Sequence, residues 1–67
     1  MYERYVELRD RKGMTDAAVA QASGITPSTF SDWKSGRSNP KTEKLIKIAA
    51  VLEVPLEAFF ESRKSND

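Results

Sequence analysis

The amino-acid sequence predicts an all-α fold for its 67 residues. Apolar side chains recur at three- and four-residue spacing in several segments, as they do on one side of a helix. Glycine, threonine and proline stand between these segments, at positions that suit the ends and starts of helices. No segment shows the apolar–polar alternation of a half-buried strand. We therefore expect five helices in a single domain, residues 1–67, with its ordered core in residues 1–60.

The first two helices are predicted at residues 2–12 and 16–23. Tyr5 and Leu8 lie at helical spacing in the first of them and are expected in the core. Thr15 is placed to cap the second helix, and the glycine two residues before it ends the first. The second helix is rich in alanine, so another helix can approach it closely.

A third helix is predicted at residues 27–35, directly after a tight turn. Gly24 provides the backbone freedom that the end of the second helix requires, and Thr26 caps the third helix. A proline follows at the first helical position, where its missing N–H costs nothing. Phe30 and Trp33 share one face and are expected to point into the core. Two short helices joined by a glycine turn form a helix-turn-helix unit, whose second helix can enter a DNA major groove.

A fourth helix is predicted at residues 42–52, and Pro55 is expected to open a short fifth helix. The fourth helix carries an apolar stripe with the spacing i, i+3, i+4 and i+7, formed by Leu45, Ile48, Ala49 and Leu52. Phe59 and Phe60 in the last helix suit either the core or a contact with a second subunit. The polar segment 61–67 is expected to fray.

The composition excludes several classes of function. The chain has no Cys and no His, so disulfides and the usual zinc sites are excluded, and we expect no metal and no cofactor. Without these groups, without a glycine-rich phosphate loop and with so little mass, we do not expect an enzyme. The chain has no apolar run of about 20 residues and no signal-peptide core, which predicts a soluble protein. The absence of Cys fits a reducing cytoplasm, where we expect the protein.

The distribution of charge says more than its sum. The formal net charge is only +1. Residues 32–47 nevertheless carry five basic and two acidic side chains, directly after the start of the third helix. Positive charge at this place suits contacts with DNA phosphates, although an ordinary solvated surface explains it as well.

The sequence resembles a known family along residues 5–60. The matching pieces are Leu8-Arg9, Gly13-Met14-Thr15, Val19-Ala20, Gly24-Ile25-Thr26, Ser28-Thr29-Phe30-Ser31, Trp33, Gly36, Asn39-Pro40, Leu45, Ile48-Ala49 and Leu52. In this order and spacing they resemble the lambda-repressor-like, Cro/C1-type (XRE family) helix-turn-helix domains of phage and bacterial transcription regulators. The resemblance implies a compact five-helix domain that binds double-stranded DNA, usually at a two-fold symmetric operator and as a homodimer.

The resemblance also implies which residues meet DNA. The positions from which relatives read base edges, and one position beside them, are occupied here by Pro27, Ser28, Asp32 and Ser31. The positions that touch or approach phosphates, with two neighbouring lysines, are occupied by Thr26, Lys34, Arg37, Ser38, Asn39, Lys41 and Lys44. The base-reading set lacks the Arg, Gln and Asn side chains that make bidentate contacts with bases, so we expect modest direct readout.

Two further positions depart from the family pattern. Asp16 stands where many relatives have a Gln that contacts phosphate, and a carboxylate there is expected to repel phosphate, although it suits the positive end of its helix. Lys34 stands where relatives often carry a Glu that pairs with an Arg at the position of Arg9. Both residues are cationic here, so that ion pair cannot form and Lys34 is free to meet DNA.

Two functions remain open at this point. The resemblance and the basic segment favour a sequence-specific transcription regulator of the phage or bacterial repressor type. The low net charge, Asp16 and the plain outer face of the third helix favour a protein-interaction module that kept the fold and lost strong affinity for DNA.

Overall fold

The computed structural model describes residues 1–60, which form helices and no strand. The α-helices are α1 (Tyr2–Arg11), α2 (Asp16–Ser23), α3 (Pro27–Ser35) and α4 (Thr42–Leu52), and a 3-10 helix follows at Leu56–Phe60. The all-α prediction is confirmed: α2, α3 and α4 have the expected bounds, and α1 ends one residue early. The segment expected to fray, 61–67, lies outside the described residues, and the assignment of the whole chain to one domain stays a prediction.

One cluster of buried side chains joins the helices. Its members are Tyr5, Leu8, Val19, Ala20, Ile25, Phe30, Trp33, Leu45, Ile48, Ala49, Leu52, Ala58 and Phe59. The alanine-rich α2 packs against both α3 and α4, and α1 packs against the 3-10 helix. The helical spacing in the sequence therefore identified the core face of each of the four α-helices. Within residues 1–60, no helix has the length and apolar character that crossing a membrane requires.

The predicted ends of α2 and the predicted start of α3 can each be compared with the structure. Gly24 ends α2 in the left-handed conformation, at φ 75°, as the sequence predicts. Thr15 caps the start of α2 through its Oγ1 atom, which accepts a hydrogen bond from the Ala18 N–H at 3.1 Å. Thr26 occupies the cap position of α3, but its hydroxyl accepts no backbone hydrogen bond there. It lies 3.2 Å from the hydroxyl oxygens of Ser28 and Thr29 instead. Thr26 therefore stands at the predicted cap position of α3, but its side chain does not form the capping hydrogen bond.

The two phenylalanines of the 3-10 helix have different roles. Phe59 is 1% exposed and Phe60 is 61% exposed. The Phe59 ring lies 6.4 Å from the ring centroids of Tyr5 and Trp33. Phe59 is therefore a core residue, and its alternative interpretation as a contact with a second subunit is wrong. Phe60 remains available at the surface.

Glu53 is the one residue other than glycine with a positive φ in the described part of the chain. It ends α4 at φ 60° and ψ 42°, and its Oε1 atom lies 2.6 Å from Nζ of Lys12 at the end of α1. The left-handed conformation disfavours a residue with a Cβ atom by about 1–2 kcal/mol. The sequence predicted where α4 ends, but it did not predict that Glu53 ends it in the left-handed conformation or that it pairs with Lys12.

We expect Glu53→Gly to be more stable than Glu53→Gln. Both variants remove the ion pair with Lys12, but only glycine also relieves the left-handed strain, so the free energies of unfolding should differ by about 1 kcal/mol. Urea or thermal unfolding measures this difference. Equal stabilities of the two variants would mean that the backbone at position 53 is unstrained.

Candidate nucleic-acid interface

The helix α3 is anchored on one side and open on the other. Phe30 and Trp33 are each 2% exposed and fix α3 in the core. Pro27, Ser28 and Ser31 on the remaining sides are exposed to solvent. None of the other described helices covers this outer surface. We call the exposed side of α3, formed by Pro27, Ser28, Ser31 and Asp32, the outer face.

Short hydroxyl side chains occupy the first turn of α3. The Thr26 Oγ1 atom links the hydroxyls of Ser28 and Thr29, at 3.2 Å from each. A hydroxyl both donates and accepts, so this group can exchange its internal bonds for bonds to bases or phosphates. The first turn of α3 therefore presents small, adaptable polar groups to solvent.

The loop after α3 folds back on the end of the helix. Gly36 adopts φ 83°, and the N–H groups of Arg37 and Ser38 both point to the Asp32 carbonyl, at 2.9 and 3.4 Å. This turn brings Nη1 of Arg37 to 3.8 Å from the Asp32 carboxylate. The Arg37 side chain is 78% exposed, so the pair is held weakly. Asp32 was expected to read bases and Arg37 to meet phosphates, and their contact was not predicted.

An open cleft separates α3 from the start of α4. Thr29, Asp32, Ser38, Asn39, Pro40, Lys41, Glu43 and Lys44 line it. The cleft thus brings together one expected base-reading residue and four expected phosphate residues. Pro40 is buried beneath the cleft, which fixes the path of the loop. Thr29 and Glu43 also line it and were not expected there. The Glu43 carboxylate opposes the approach of phosphate.

The lysines around α3 and α4 are exposed. Lys34 lies in the last turn of α3, whereas Lys41 and Lys44 lie at the start of α4. Within residues 1–60, none of these three lysines forms an ion pair. Their ammonium groups are therefore available to an external anion at low cost. Thr26, Lys34 and Arg37 lie outside the cleft and extend the polar surface along α3.

Asp16 is surrounded by donors from α1. Its carboxylate accepts hydrogen bonds from the Tyr5 hydroxyl at 2.7 Å, the Tyr2 hydroxyl at 2.9 Å and Nη1 of Arg9 at 2.7 Å. Its side chain is only 30% exposed. The three donors stand at i, i+3 and i+7 and so share one face of α1. That spacing is the sequence signal for this site, and it was missed. We call these four residues the Asp16 cluster.

The Asp16 cluster shifts the pKa values of its members. Burial raises the pKa of Asp16, but hydrogen bonds from Tyr5, Arg9 and Tyr2 outweigh burial and hold it below its usual value of 3.8. Burial and the bond to Asp16 raise the pKa of the Tyr5 hydroxyl, so that Tyr5 remains a donor. At neutral pH the cluster therefore contains one carboxylate and a protonated set of donors.

Arg9 finds its charge partners close to α1. Its guanidinium lies 2.8 Å from Asp10 and 2.7 Å from Asp16. Hydrogen bonds to Asp10, and then to Asp16, raise the pKa of Arg9. Arg9 therefore pairs with Asp10 and Asp16, and not with a residue at the position of Lys34 as the family pattern has it. The two expectations for Asp16, repulsion of phosphate and a favourable place at the positive end of its helix, did not include this internal use of its charge.

Two helices joined by a glycine turn, with the second anchored inward and open outward, define the class of helix-turn-helix DNA-binding domains. A helix-turn-helix family model matches residues 7–59, which is most of the chain. The chain belongs to the XRE family of Cro/C1-like helix-turn-helix DNA-binding regulators, a fold that is typically non-enzymatic. No curated protein matches it in sequence.

We expect Asp16→Asn to lower the free energy of unfolding at neutral pH by about 1–2 kcal/mol, because a charged acceptor is lost. In the natural protein, the lowered pKa of Asp16 contributes stability that is complete above the unfolded-state pKa and is lost as the pH falls through the folded-state pKa. Unfolding by urea, measured from about pH 6 to about pH 2, should therefore show a weaker acid dependence in Asp16→Asn.

Glu53 provides the control for this measurement. Its pKa is also lowered, by the hydrogen bond and charge of Lys12, but it lies at the end of α4 and outside the Asp16 cluster. Glu53→Gln should retain the part of the acid dependence that Asp16→Asn removes. An unchanged acid dependence in Asp16→Asn would contradict the assignment to Asp16.

Proposed function

We propose that this chain is a sequence-specific, double-stranded DNA-binding regulator of transcription, of the phage or bacterial repressor type, that inserts α3 into the major groove. The observation that carries this proposal is the geometry of α3. Phe30 and Trp33 anchor it in the core, while its outer face is open to solvent. A helix of this diameter fits a major groove about 12 Å wide.

Contacts with phosphates would supply most of the affinity. Lys34, Arg37, Lys41 and Lys44 provide the charge, and all four side chains are exposed. The exposed polar side chains Thr26, Ser38 and Asn39 would add neutral hydrogen bonds. Each neutralised phosphate releases condensed counterions, so binding should weaken steeply as salt rises. These contacts orient the domain and carry no sequence information.

Contacts from the outer face would supply the choice of sequence. The Asp32 carboxylate can accept a hydrogen bond from the amino group of cytosine, and the Ser28 and Ser31 hydroxyls can bond to several bases. The methylene groups of Pro27 can pack on a thymine methyl group. The neighbouring Arg37 lies 3.8 Å from Asp32 and can orient its carboxylate while it approaches a phosphate.

A homodimer on a palindromic operator completes the proposal. Two copies of α3 would have to reach successive major grooves about 34 Å apart. Phe60 is the exposed aromatic residue near the end of the described chain, and Ile46 on α4 is 53% exposed. Both are candidate contacts between subunits. We place this regulator in the cytoplasm, where it would meet its operator.

A protein-interaction module on the same fold is the second candidate. The net charge of +1 and Glu43 at the edge of the cleft favour it. A salt titration on random-sequence duplex separates the two candidates, because nonspecific binding is strongest at low salt. Absence of binding near about 50 mM salt would favour the interaction module.

We expect Lys34→Ala to weaken binding to every duplex by a similar factor and to reduce the slope of log affinity against log salt by about one. The physical reason is the loss of one phosphate contact without loss of a base contact. Fluorescence anisotropy at several salt concentrations measures both quantities. Lys12→Ala is the charge-matched control. Lys12 stands at the end of α1, outside the expected DNA contacts, and its charge is paired with Glu53 at the end of α4. Equal effects of the two variants would argue against a contact from α3.

We expect Asp32→Ala to relax the base preference at one position of each half-site, with a loss of about 1 kcal/mol in discrimination, because a single accepted hydrogen bond contributes less than a bidentate contact. Asp32→Asn should instead shift that position towards adenine, because an amide can donate as well as accept. Selection from a random duplex pool, followed by sequencing, measures these preferences. The natural chain should yield a two-fold symmetric consensus. An identical consensus from all three proteins would exclude Asp32 from base recognition.

A further inference from the structure

Asp16 bonds to the hydroxyls of Tyr2 and Tyr5, and the rings of both tyrosines pack on Trp33 of α3. We propose that Asp16 is a positioning residue for α3: by holding the hydroxyls of Tyr2 and Tyr5, it fixes the two rings that set the orientation of Trp33 and of the outer face. This inference rests on the proposed function, because it assigns to Asp16 an effect on DNA binding that requires no contact with DNA.

The first link is the set of hydrogen bonds between α2 and α1. One carboxylate oxygen of Asp16 accepts from the Tyr5 hydroxyl and from Arg9, each at 2.7 Å, and the other accepts from the Tyr2 hydroxyl at 2.9 Å. Arg9 also lies over the Tyr5 ring, with its guanidinium carbon 5.9 Å from the ring centroid. Both phenol rings are therefore held at their hydroxyl ends by one residue.

The second link is the packing of both rings on Trp33. The Tyr5 ring stacks on the Trp33 ring at 4.8 Å, and the Tyr2 ring meets it edge-on at 5.4 Å. The indole N–H of Trp33 is buried and has no hydrogen-bond partner among residues 1–60. Within residues 1–60, the orientation of the Trp33 side chain therefore depends on its contacts with other rings and not on a hydrogen bond. A displaced phenol ring would move the side chain that anchors α3.

The alternative role of Asp16 is purely electrostatic, and it predicts the opposite sign. If Asp16 acted on DNA through its charge, its removal would strengthen binding, because a carboxylate repels phosphate. If Asp16 positions α3, its removal weakens binding although the protein becomes more positive. The two neutral variants Asp16→Asn and Asp16→Ala separate these roles further. They make the same change of charge, but only Asn retains a hydrogen-bond acceptor for the phenols.

The experiment uses the full chain and two kinds of measurement. Without DNA, near-ultraviolet circular dichroism and the emission of the single tryptophan report on the surroundings of Trp33. With DNA, anisotropy at fixed low salt gives the affinity for the selected operator. The variants are Asp16→Ala, Asp16→Asn and Tyr5→Phe, the last of which removes a hydroxyl and no charge. Leu52→Ala is the control, because it destabilises the core at the end of α4, away from the Asp16 cluster. All proteins are measured where far-ultraviolet spectra show them folded.

We expect Asp16→Ala to weaken operator binding by about tenfold, and Asp16→Asn and Tyr5→Phe by about threefold. The tryptophan emission should change in all three variants; it is the spectral measurement for Tyr5→Phe, because that variant loses a tyrosine chromophore. Leu52→Ala should retain both the spectrum and the affinity of the natural chain. Tighter or unchanged binding by Asp16→Ala, or equal loss in Leu52→Ala, would overturn the proposal. Tyr5→Phe keeps the test decisive if Asp16→Ala does not fold.

The two measurements also separate this inference from the proposed function. If the natural chain does not bind DNA, the proposed function fails, and the spectra alone still show whether Asp16 controls the surroundings of Trp33. If the natural chain binds DNA and the tryptophan emission of all three variants matches that of the natural chain, the positioning role fails and the proposed function stands.

Discussion

The packing of Trp33 and Phe30 against Tyr5 is the interaction on which the rest of the structure depends. Tyr5 is completely buried, and its ring contacts both α3 side chains, at 4.8 and 5.7 Å between centroids. A helix of nine residues has little stability alone, so its place and direction come from these contacts. Because the anchors occupy one face, the side of α3 that carries Pro27, Ser28 and Ser31 remains open to solvent.

Charge is arranged around this aromatic core in two ways. At the Asp16 cluster, opposite charges and phenol donors meet at short distances, and they join α1 to the start of α2. Around α3 and α4, exposed lysines remain unpaired within residues 1–60. The small net charge is therefore the sum of two groups of charges: those paired within the protein and those available to bind a partner. That division explains how a nearly neutral chain can still present a basic surface beside α3.

Much of the fold could be predicted from the sequence, because helix spacing and helix ends are local properties. The apolar stripe of α4 and the left-handed Gly24 follow from side chains within a few residues of one another. Contacts between distant segments were predicted poorly. Two examples depend on how the helices pack. Asp16 accepts hydrogen bonds from side chains of α1, and Phe59 rather than Phe60 is buried in the core. The pair of Asp32 and Arg37 depends on the turn at Gly36.

The sequence by itself determined the order and length of the α-helices, the face that each buries and membership in a helix-turn-helix family, because these follow from periodicity and from short motifs. Only the tertiary structure decided what Asp16 bonds to and which phenylalanine faces solvent. It also decided that Glu53 ends α4 in a conformation that glycine would favour. These outcomes depend on distances between segments far apart in the chain, and such distances are set when the helices pack together.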